Sequence, residues 1–358
     1  MNRPGRKEWT TLVTVCIVLI IGFAPSFGWD FKAGSRLRFI SGYDDNIFEE
    51  ANETTSDEVT GIMFFGSGRW NKDAGGSFGL DYHGGYHKYW SYSCETRFIH
   101  EVEGWGKARL WHHGSIRLRG TARYKNFPHS QRDNWRGNGE IWFQFVLPKG
   151  ILGKVYFGKS FLDYPSYDFF DYSVYRCGIS FRKRVSKRLF LGVDCSFDRW
   201  TSDRTILDYQ ELITEVREGE MEKQVDRLYQ ITLSIEYFRE FLLKIDYSFE
   251  RDNSNSFGYS YRKHHALLLL AKNILYRSMI KLFFVMQFKT YLESTDQLLL
   301  LDLDTEGEQD NLLVGELSRG FSSKWSAFLR FHWIKNESLV RDRFYEKKLT
   351  SIGIEYQF

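Results

Sequence analysis

Arg117, Arg119, Arg123 and Lys125 all fall on odd positions of the segment SIRLRGTARYK, residues 115–125, while Ile116, Leu118, Ala122 and Tyr124 hold even ones. Cationic groups in one line can attract and orient anions. On a helix these four would scatter around the axis. On a strand they all project one way and the apolar residues project the other. The chemistry therefore asks for a strand with one greasy face and one strongly charged face.

Other reactive constellations are sparse. Asp81, His83 and His87 share a face if residues 76–91 are a strand. Positions i and i+4 of a strand lie about 13 Å apart, too far for two imidazoles to hold one metal. His112 and His113 fall in a turn, and His264 and His265 straddle two faces. The chain carries no P-loop, no G-x-G-x-x-G and no C-x-x-C. The expectation is a chain without cofactor or metal, and not an enzyme. Two segments, 44–57 and 292–310, are rich in Asp and Glu and lack Lys and Arg. Carboxylates can take divalent cations, but the spacing fits no EF-hand, so these read as solvated loops.

The alternation of the basic segment recurs along the chain. In LYQITLSIEY, Tyr229, Ile231, Leu233, Ile235 and Tyr237 alternate with Gln230, Thr232, Ser234 and Glu236. The same period of two predicts sixteen strands, near 35–43, 58–70, 76–91, 95–110, 115–125, 139–148, 151–161, 173–184, 189–200, 227–238, 241–250, 260–272, 278–291, 310–320, 325–335 and 347–358. Short and long connections alternate between them, with 91–94 the one short link where a long one is due. Large aromatics stand near the expected strand ends, among them Trp70, Trp111, Tyr124, Trp142 and Tyr356, where interfacial girdles belong.

The 358 residues are 42% hydrophobic and 18% aromatic, too apolar for disorder. A net charge of +3 gives no sign of nucleic-acid binding. Past residue 28 no apolar run is long enough for a membrane helix. Residues 1–28 read as an export signal: Arg3, Arg6 and Lys7 precede an apolar run from Leu12 to Ala24, and Ser26 and Gly28 stand at the −3 and −1 positions of a cut before Trp29.

An even strand number, short turns at one end, long loops at the other and one apolar face predict a fold. It is all-β: a single transmembrane antiparallel β-barrel of about sixteen strands, over residues 29–358, in a bacterial outer membrane. A soluble sandwich would not charge its second face so heavily in strand after strand. Outer-membrane lipid and lipopolysaccharide are then the surroundings, and a second copy or a periplasmic protein is a further candidate partner.

The last eight residues, SIGIEYQF, resemble the carboxy-terminal signal by which bacterial outer-membrane barrels are recognised by their assembly machinery. Ser351, Gly353, Tyr356 and Phe358 match it, which implies class and location. The run Gly42, Tyr43, Asp44 and Asn46 is similar to the opening of barrels from polysaccharide-export and surface-assembly loci; turn chemistry alone also accounts for Asp44, Asp45 and Asn46.

Within such a barrel the charged faces meet water in the lumen, because Arg or Lys facing lipid at mid-bilayer costs roughly 2–4 kcal/mol. Arg117, Arg119, Arg123, Lys125, Lys154, Arg176 and Arg182 form a basic sector. Asp194, Asp198, Glu236, Asp246 and Glu250 form the adjoining acidic one. Two consequences are open: a transverse field that orients solutes, or pairing across strands. The expected function is a porin-like channel for small hydrophilic, anionic solutes. The alternatives are a barrel serving surface assembly, polysaccharide export or an electron conduit, and a barrel-embedded hydrolase. One of the loops 201–226 and 292–309 is expected to enter or cap the lumen. Cys177 and Cys195 lie equidistant from residue 186, which predicts direct opposition on one apolar face and a geometry near that of a disulfide.

Overall fold

The computed structural model of the protein describes residues 30–50, 53–72, 75–205, 223–274, 276–292, 310–336 and 345–358. The export segment lies outside them. The strands are β1 (Asp30–Asp44), β2 (Asp57–Lys72), β3 (Gly76–Tyr89), β4 (Arg97–Trp111), β5 (Gly114–Asn126), β6 (Asn134–Leu147), β7 (Ile151–Asp163) and β8 (Tyr172–Arg184). They continue as β9 (Leu189–Thr205), β10 (Lys223–Phe238), β11 (Phe241–Ser254), β12 (Tyr261–Ile274), β13 (Ser278–Tyr291), β14 (Asp310–Gly320), β15 (Trp325–Asn336) and β16 (Tyr345–Gln357). Each pairs antiparallel with the next, and β1 pairs with β16. The sheet is a closed barrel and has no free edge.

The two faces of each strand differ as the period of two requires. Tyr229, Ile231, Leu233 and Ile235 of β10 are 48, 51, 54 and 43% exposed, while Gln230, Thr232 and Ser234 between them are half-buried. Exposed apolar residues recur on strand after strand, as at Ile62 and Phe64 of β2, Phe157 and Phe161 of β7 and Ile352 and Ile354 of β16; such a surface would be untenable in water and suits lipid. Strands of 11 to 17 residues meet or exceed the roughly 9–11 that a tilted strand needs to cross a bilayer. Among the described residues no helix is long and apolar enough to cross one.

Connections of two to four residues, such as 112–113 and 185–188, alternate with longer ones of six or more, without exception. The anomalous short link vanishes because β3 stops at Tyr89 and β4 starts at Arg97. A single 3-10 turn, Ser93–Glu95, fills the gap. β1 starts at Asp30, earlier than the alternation suggests. Residues 206–222 and 293–309, the bulk of the two long loops, lie outside the described residues, and so does the expectation that one enters the lumen.

Two expectations need correction. Cys177 opposes Phe197, and Cys195 opposes Ile179. The faces are as expected, but the register is offset by two residues and all three described cysteines are free. The cause is the turn. The Ser186 hydroxyl accepts hydrogen bonds from Arg188 N and Leu189 N, each at 3.2 Å, which moves the hairpin centre one residue later. Trp142 is not part of an interfacial girdle. It stands directly opposite Arg117, on the polar side of mid-strand β6. Trp70, in contrast, packs between Phe31 and Phe78 on the apolar side, with ring centroids 4.7 and 4.5 Å away.

The closing joint is pinned at one end. Asp44 and Asn46 are 1 and 0% exposed. Asn46 Nδ2 donates to Glu50 O at 2.8 Å and to Glu346 O at 3.0 Å, and its Oδ1 accepts from Glu50 N at 3.0 Å. Lys347 Nζ lies 3.2 Å from Asp44 Oδ2, and Lys348 N donates to Asp45 Oδ1 at 2.6 Å. Turn-forming residues thus end β1 and at the same time clasp it to β16. Ile47 packs with Val59 and Tyr89 beneath this clasp.

Candidate functional site

The polar face of β4 to β11 gathers most of the predicted site residues, and their contacts divide them into two sets. The first set is paired. Arg176 of β8 grips Asp198 of β9 with two parallel bonds, Nε to Oδ1 at 2.8 Å and Nη2 to Oδ2 at 2.6 Å; the Asp198 residue is 1% exposed. Arg182 reaches over β9 to Glu236 of β10, at 2.5 Å. Between them lies Gly192, opposite both Arg182 and Ser234. Arg119 binds both oxygens of Glu103, at 2.8 and 2.7 Å. Lys244 lies 2.6 Å from Asp246, and Lys263 2.7 Å from Glu250. Asp194 accepts a 2.7 Å bond from the Tyr156 hydroxyl, which crosses β8 above Gly178. No side chain fits at Gly178, where a Cβ would lie 2.4 Å from the Tyr156 ring and 2.7 Å from Cys195 O.

The second set has cations without carboxylates. Among the described residues, no Asp or Glu lies within ion-pair distance of Arg117, Arg123 or Lys154. Arg117 sits over Trp142 at 4.9 Å and over Trp105 at 5.6 Å. Lys154 sits over Tyr156 at 4.4 Å and over Trp142 at 5.2 Å. Trp142 is therefore shared by two cations from the strands on either side of it. Ring faces hold these charges by their quadrupoles without neutralising them. Arg123 stands opposite Arg136 of β6 and Glu101 of β4, and its buried Nε has no hydrogen-bond partner. Lys125, opposite Asn134 and Ile99, shares the face but does not belong to this unpaired set. A recess of about 300 Å³ opens beside this set, lined by Lys154, Ser180, Arg182, Asp194, Glu236 and Lys244.

Pairing across strands thus answers part of the question that the sequence leaves open. Arg119, Arg176 and Arg182 are each matched to an acid on a nearby strand, and the sectors interlock there. The same pattern recurs in residues that the sequence reading did not single out. Glu316 of β14 is held by Lys281 Nζ at 3.0 Å and Arg330 Nε at 2.9 Å. Arg38 of β1 is tied to Glu355 of β16 at 2.7 Å. Arg330 and Glu316 alternate with apolar residues as regularly as Arg117 does, so the signal was present in the sequence. The same holds for Trp105, between Glu103 and Lys107 on its face, and for Trp142, between Glu140 and Gln144, whose period places both on the charged side.

The four residues of the terminal motif separate by face. Phe358 is 63% exposed, on the apolar side, and Tyr356 packs against Trp325 there at 4.6 Å. Ser351 is buried on the polar side. At Gly353 a Cβ would lie 2.5 Å from Phe39 O and 2.4 Å from the Phe328 ring, so glycine is required where β16 meets both of its neighbours. Among the described residues no three His, Cys, Asp or Glu side chains converge as metal ligands.

A scan against family models gives no match, and neither does a search of curated protein sequences. Solved structures do match. An anion-selective porin from Comamonas acidovorans aligns with a TM-score of 0.50 and 10% identity, over 92% of this chain and 100% of that one. OccAB3 of Acinetobacter baumannii aligns at 0.48 and 10% identity, over 92 and 99%. OmpT, an outer membrane protein of Vibrio cholerae in trimer form, aligns at 0.46 and 10%, over 92 and 99%. At such identities the likeness speaks to fold. The chain is a closed sixteen-strand transmembrane β-barrel of the kind found in bacterial outer-membrane porins.

Proposed function

We propose that the chain is a water-filled outer-membrane channel for small hydrophilic solutes, with a preference for anions. The channel reading needs the polar face to be the inner one. Contacts that skip a strand support this. Strands two apart are separated by roughly 9.6 Å, so side chains from them meet most readily where the wall is concave. Arg182 with Glu236, and Tyr156 with Asp194, meet in this way, each over a glycine. The exposed apolar residues then face lipid.

One observation carries the preference for anions: Arg117, Arg123 and Lys154 form no ion pair with a carboxylate among the described residues, while aromatic faces hold Arg117 and Lys154 in place. Fixed cations on a narrow aqueous wall raise the local anion concentration. The Comamonas porin is anion-selective by its description, which agrees with the reading without establishing it here. The terminal Phe358 and the apolar edge of β16 suit recognition by the barrel assembly machinery. The export-locus reading rested on the Gly42 to Asn46 run. The clasp between β1 and β16 accounts for Asp44 and Asn46 structurally, so the channel is the reading preferred.

Planar bilayers test it. Refolded protein is expected to give discrete conductance steps, with a reversal potential displaced toward that of the anion in a salt gradient. Arg117→Ser with Lys154→Ser should move that potential toward the cation. Well-folded barrels that never conduct would refute the channel.

A further inference from the structure

We propose that the lipid-facing side of β9 to β12 holds a phosphorylated lipid of the outer leaflet, its phosphates on four arginines and its acyl chains on the wall beneath them. The inference rests on the transmembrane barrel and is independent of whether the lumen conducts. Its starting point is a set of charges on the apolar side. Arg199 of β9 stands directly opposite Arg227 of β10, and Arg251 of β11 directly opposite Arg262 of β12. The two pairs are contiguous: Arg227 opposes Asn253 and Arg251 opposes Tyr229, so Arg227 and Arg251 are diagonal neighbours. Arg199 also opposes Tyr175, and both Tyr175 and Tyr229 are exposed apolar-side residues. All four arginines are exposed.

Like charges directly opposed on neighbouring strands repel. Among the described residues, no Asp or Glu lies within ion-pair distance of the four. Asp203, further along the same face of β9, is paired with Lys223 instead, and Arg251 Nε donates to the neutral Asn253 Oδ1 at 3.3 Å. At the short-turn end of the same side Lys183, Lys272 and Arg319 stand singly, opposite Leu191, Ile280 and Ser278. The four arginines lie toward the long-loop ends of their strands, the end that faces the cell exterior in such barrels. Arginine on the lipid side costs least at that depth, where the head groups begin. A phosphomonoester brings a charge of about −1.5 to −2 and three acceptor oxygens, which suit guanidinium forks from two sides. Ile231 and Leu233 follow Arg227 and Tyr229 down the same face of β10 and are exposed. A free phosphate gains nothing from that wall, whereas a lipid phosphate is met by the arginines and by the apolar strand below them at once.

Native mass spectrometry of the full barrel in neutral detergent counts retained lipid and gives its affinity by titration. Three probes separate the contributions: a lipid A with both phosphates, the same lipid with both removed, and glucose 1-phosphate, which carries the phosphate without chains. The phosphorylated lipid is expected to bind on the order of ten-fold or more tightly than either of the others. Each arginine removed should weaken it about five-fold, the contribution of a basic residue at an anionic membrane surface. Arg227→Gln with Arg251→Gln should therefore weaken it roughly twenty-five-fold and leave the phosphate-free lipid unaffected. Arg239→Gln, in the short turn between β10 and β11, is the control and should change neither. Urea midpoints supply a second readout. In neutral detergent the double variant should be at least as stable as the wild type, because repulsion is relieved; with the phosphorylated lipid present the wild type should become the more stable of the two. Equal binding of the lipid with and without its phosphates overturns the proposal, as does a folded double variant that binds as tightly as the wild type. Equal affinity for glucose 1-phosphate and the lipid overturns it too, since the arginines then hold a soluble anion. A double variant that fails to fold, or is less stable in neutral detergent, assigns the arginines to the fold and has the same consequence.

Discussion

Replacing Arg176 by Met should be among the more damaging single changes to the wall, and its size can be worked out from the contacts. Asp198 is 1% exposed and receives both guanidinium bonds. Removing one partner of a buried pair typically costs 3–5 kcal/mol, because the other charge is stranded. Here the Arg176 side chain is 42% exposed, so water reaches one edge of the pair and the cost falls just below that range, about 2–3 kcal/mol. Asp198→Asn leaves a hydrogen-bond acceptor beside a partly hydrated guanidinium and should cost about 1–2 kcal/mol. The double variant strands no charge. A double-mutant cycle should therefore give a coupling of about 2 kcal/mol. Urea unfolding in lipid vesicles, followed by tryptophan fluorescence, measures it. Lys348 and Glu346, with side chains 52 and 44% exposed, are the internal control and should couple by well under 1 kcal/mol. If the two cycles agree within error, the claim that burial makes the Arg176–Asp198 pair count is wrong.

Phe197→Cys should cross-link to Cys177 under mild oxidation, because the two positions are directly opposed, whereas native Cys195 should not. Mass spectrometry of the non-reduced protein distinguishes them. Asn46→Ala removes three bonds from a fully buried side chain and should lower unfolding stability by about 2–3 kcal/mol; a loss below about 0.5 would dissolve the clasp described above. Burial pushes Asp171, in the connection between β7 and β8, up to about 6, with Asp163 and Asp168 adding like charge. The folded state then keeps a proton that the unfolded chain releases near pH 4. Stability should fall as pH rises from about 4 to about 6 and level off above. The urea midpoint of Asp171→Asn, followed over the same range, should lack that component.

The sequence carried the barrel because its two faces differ so sharply. Leu233 against Ser234, or Leu118 against Arg119, leaves no doubt about period or side. It carried less of the site, for three separate reasons. Register is decided by turns, and one serine hydroxyl at position 186 shifted a hairpin by two residues without altering any face. Pairing is decided by neighbours distant in the chain, so Arg182 could not be matched to Glu236, 54 residues away, before β9 was placed between them. The faces of β12 and β13 were hidden because alternation is the signal being sought. In the run Ala266 to Ala271, and again in Phe283 to Val285, both faces are apolar, and the period vanishes where the wall is least typical.

The joint between β1 and β16 differs from the others in kind. Fifteen joints are made by strands that follow one another in the chain, whereas Arg38 and Glu355 meet across 317 residues. Loop-closure entropy grows as three-halves of RT times the logarithm of loop length. Closing this joint therefore costs roughly 4 kcal/mol more than closing a four-residue hairpin, even before the intervening strands have ordered themselves. Once they are ordered, the wall itself brings the two edges together and most of that cost has already been met. The Asn46 clasp then acts on an edge already delivered to it. The bond from Asn46 to Glu346, with the contacts of Asp44 to Lys347 and of Asp45 to Lys348, spans the joint; these are late contacts, which slow opening of the finished barrel far more than they hasten its formation.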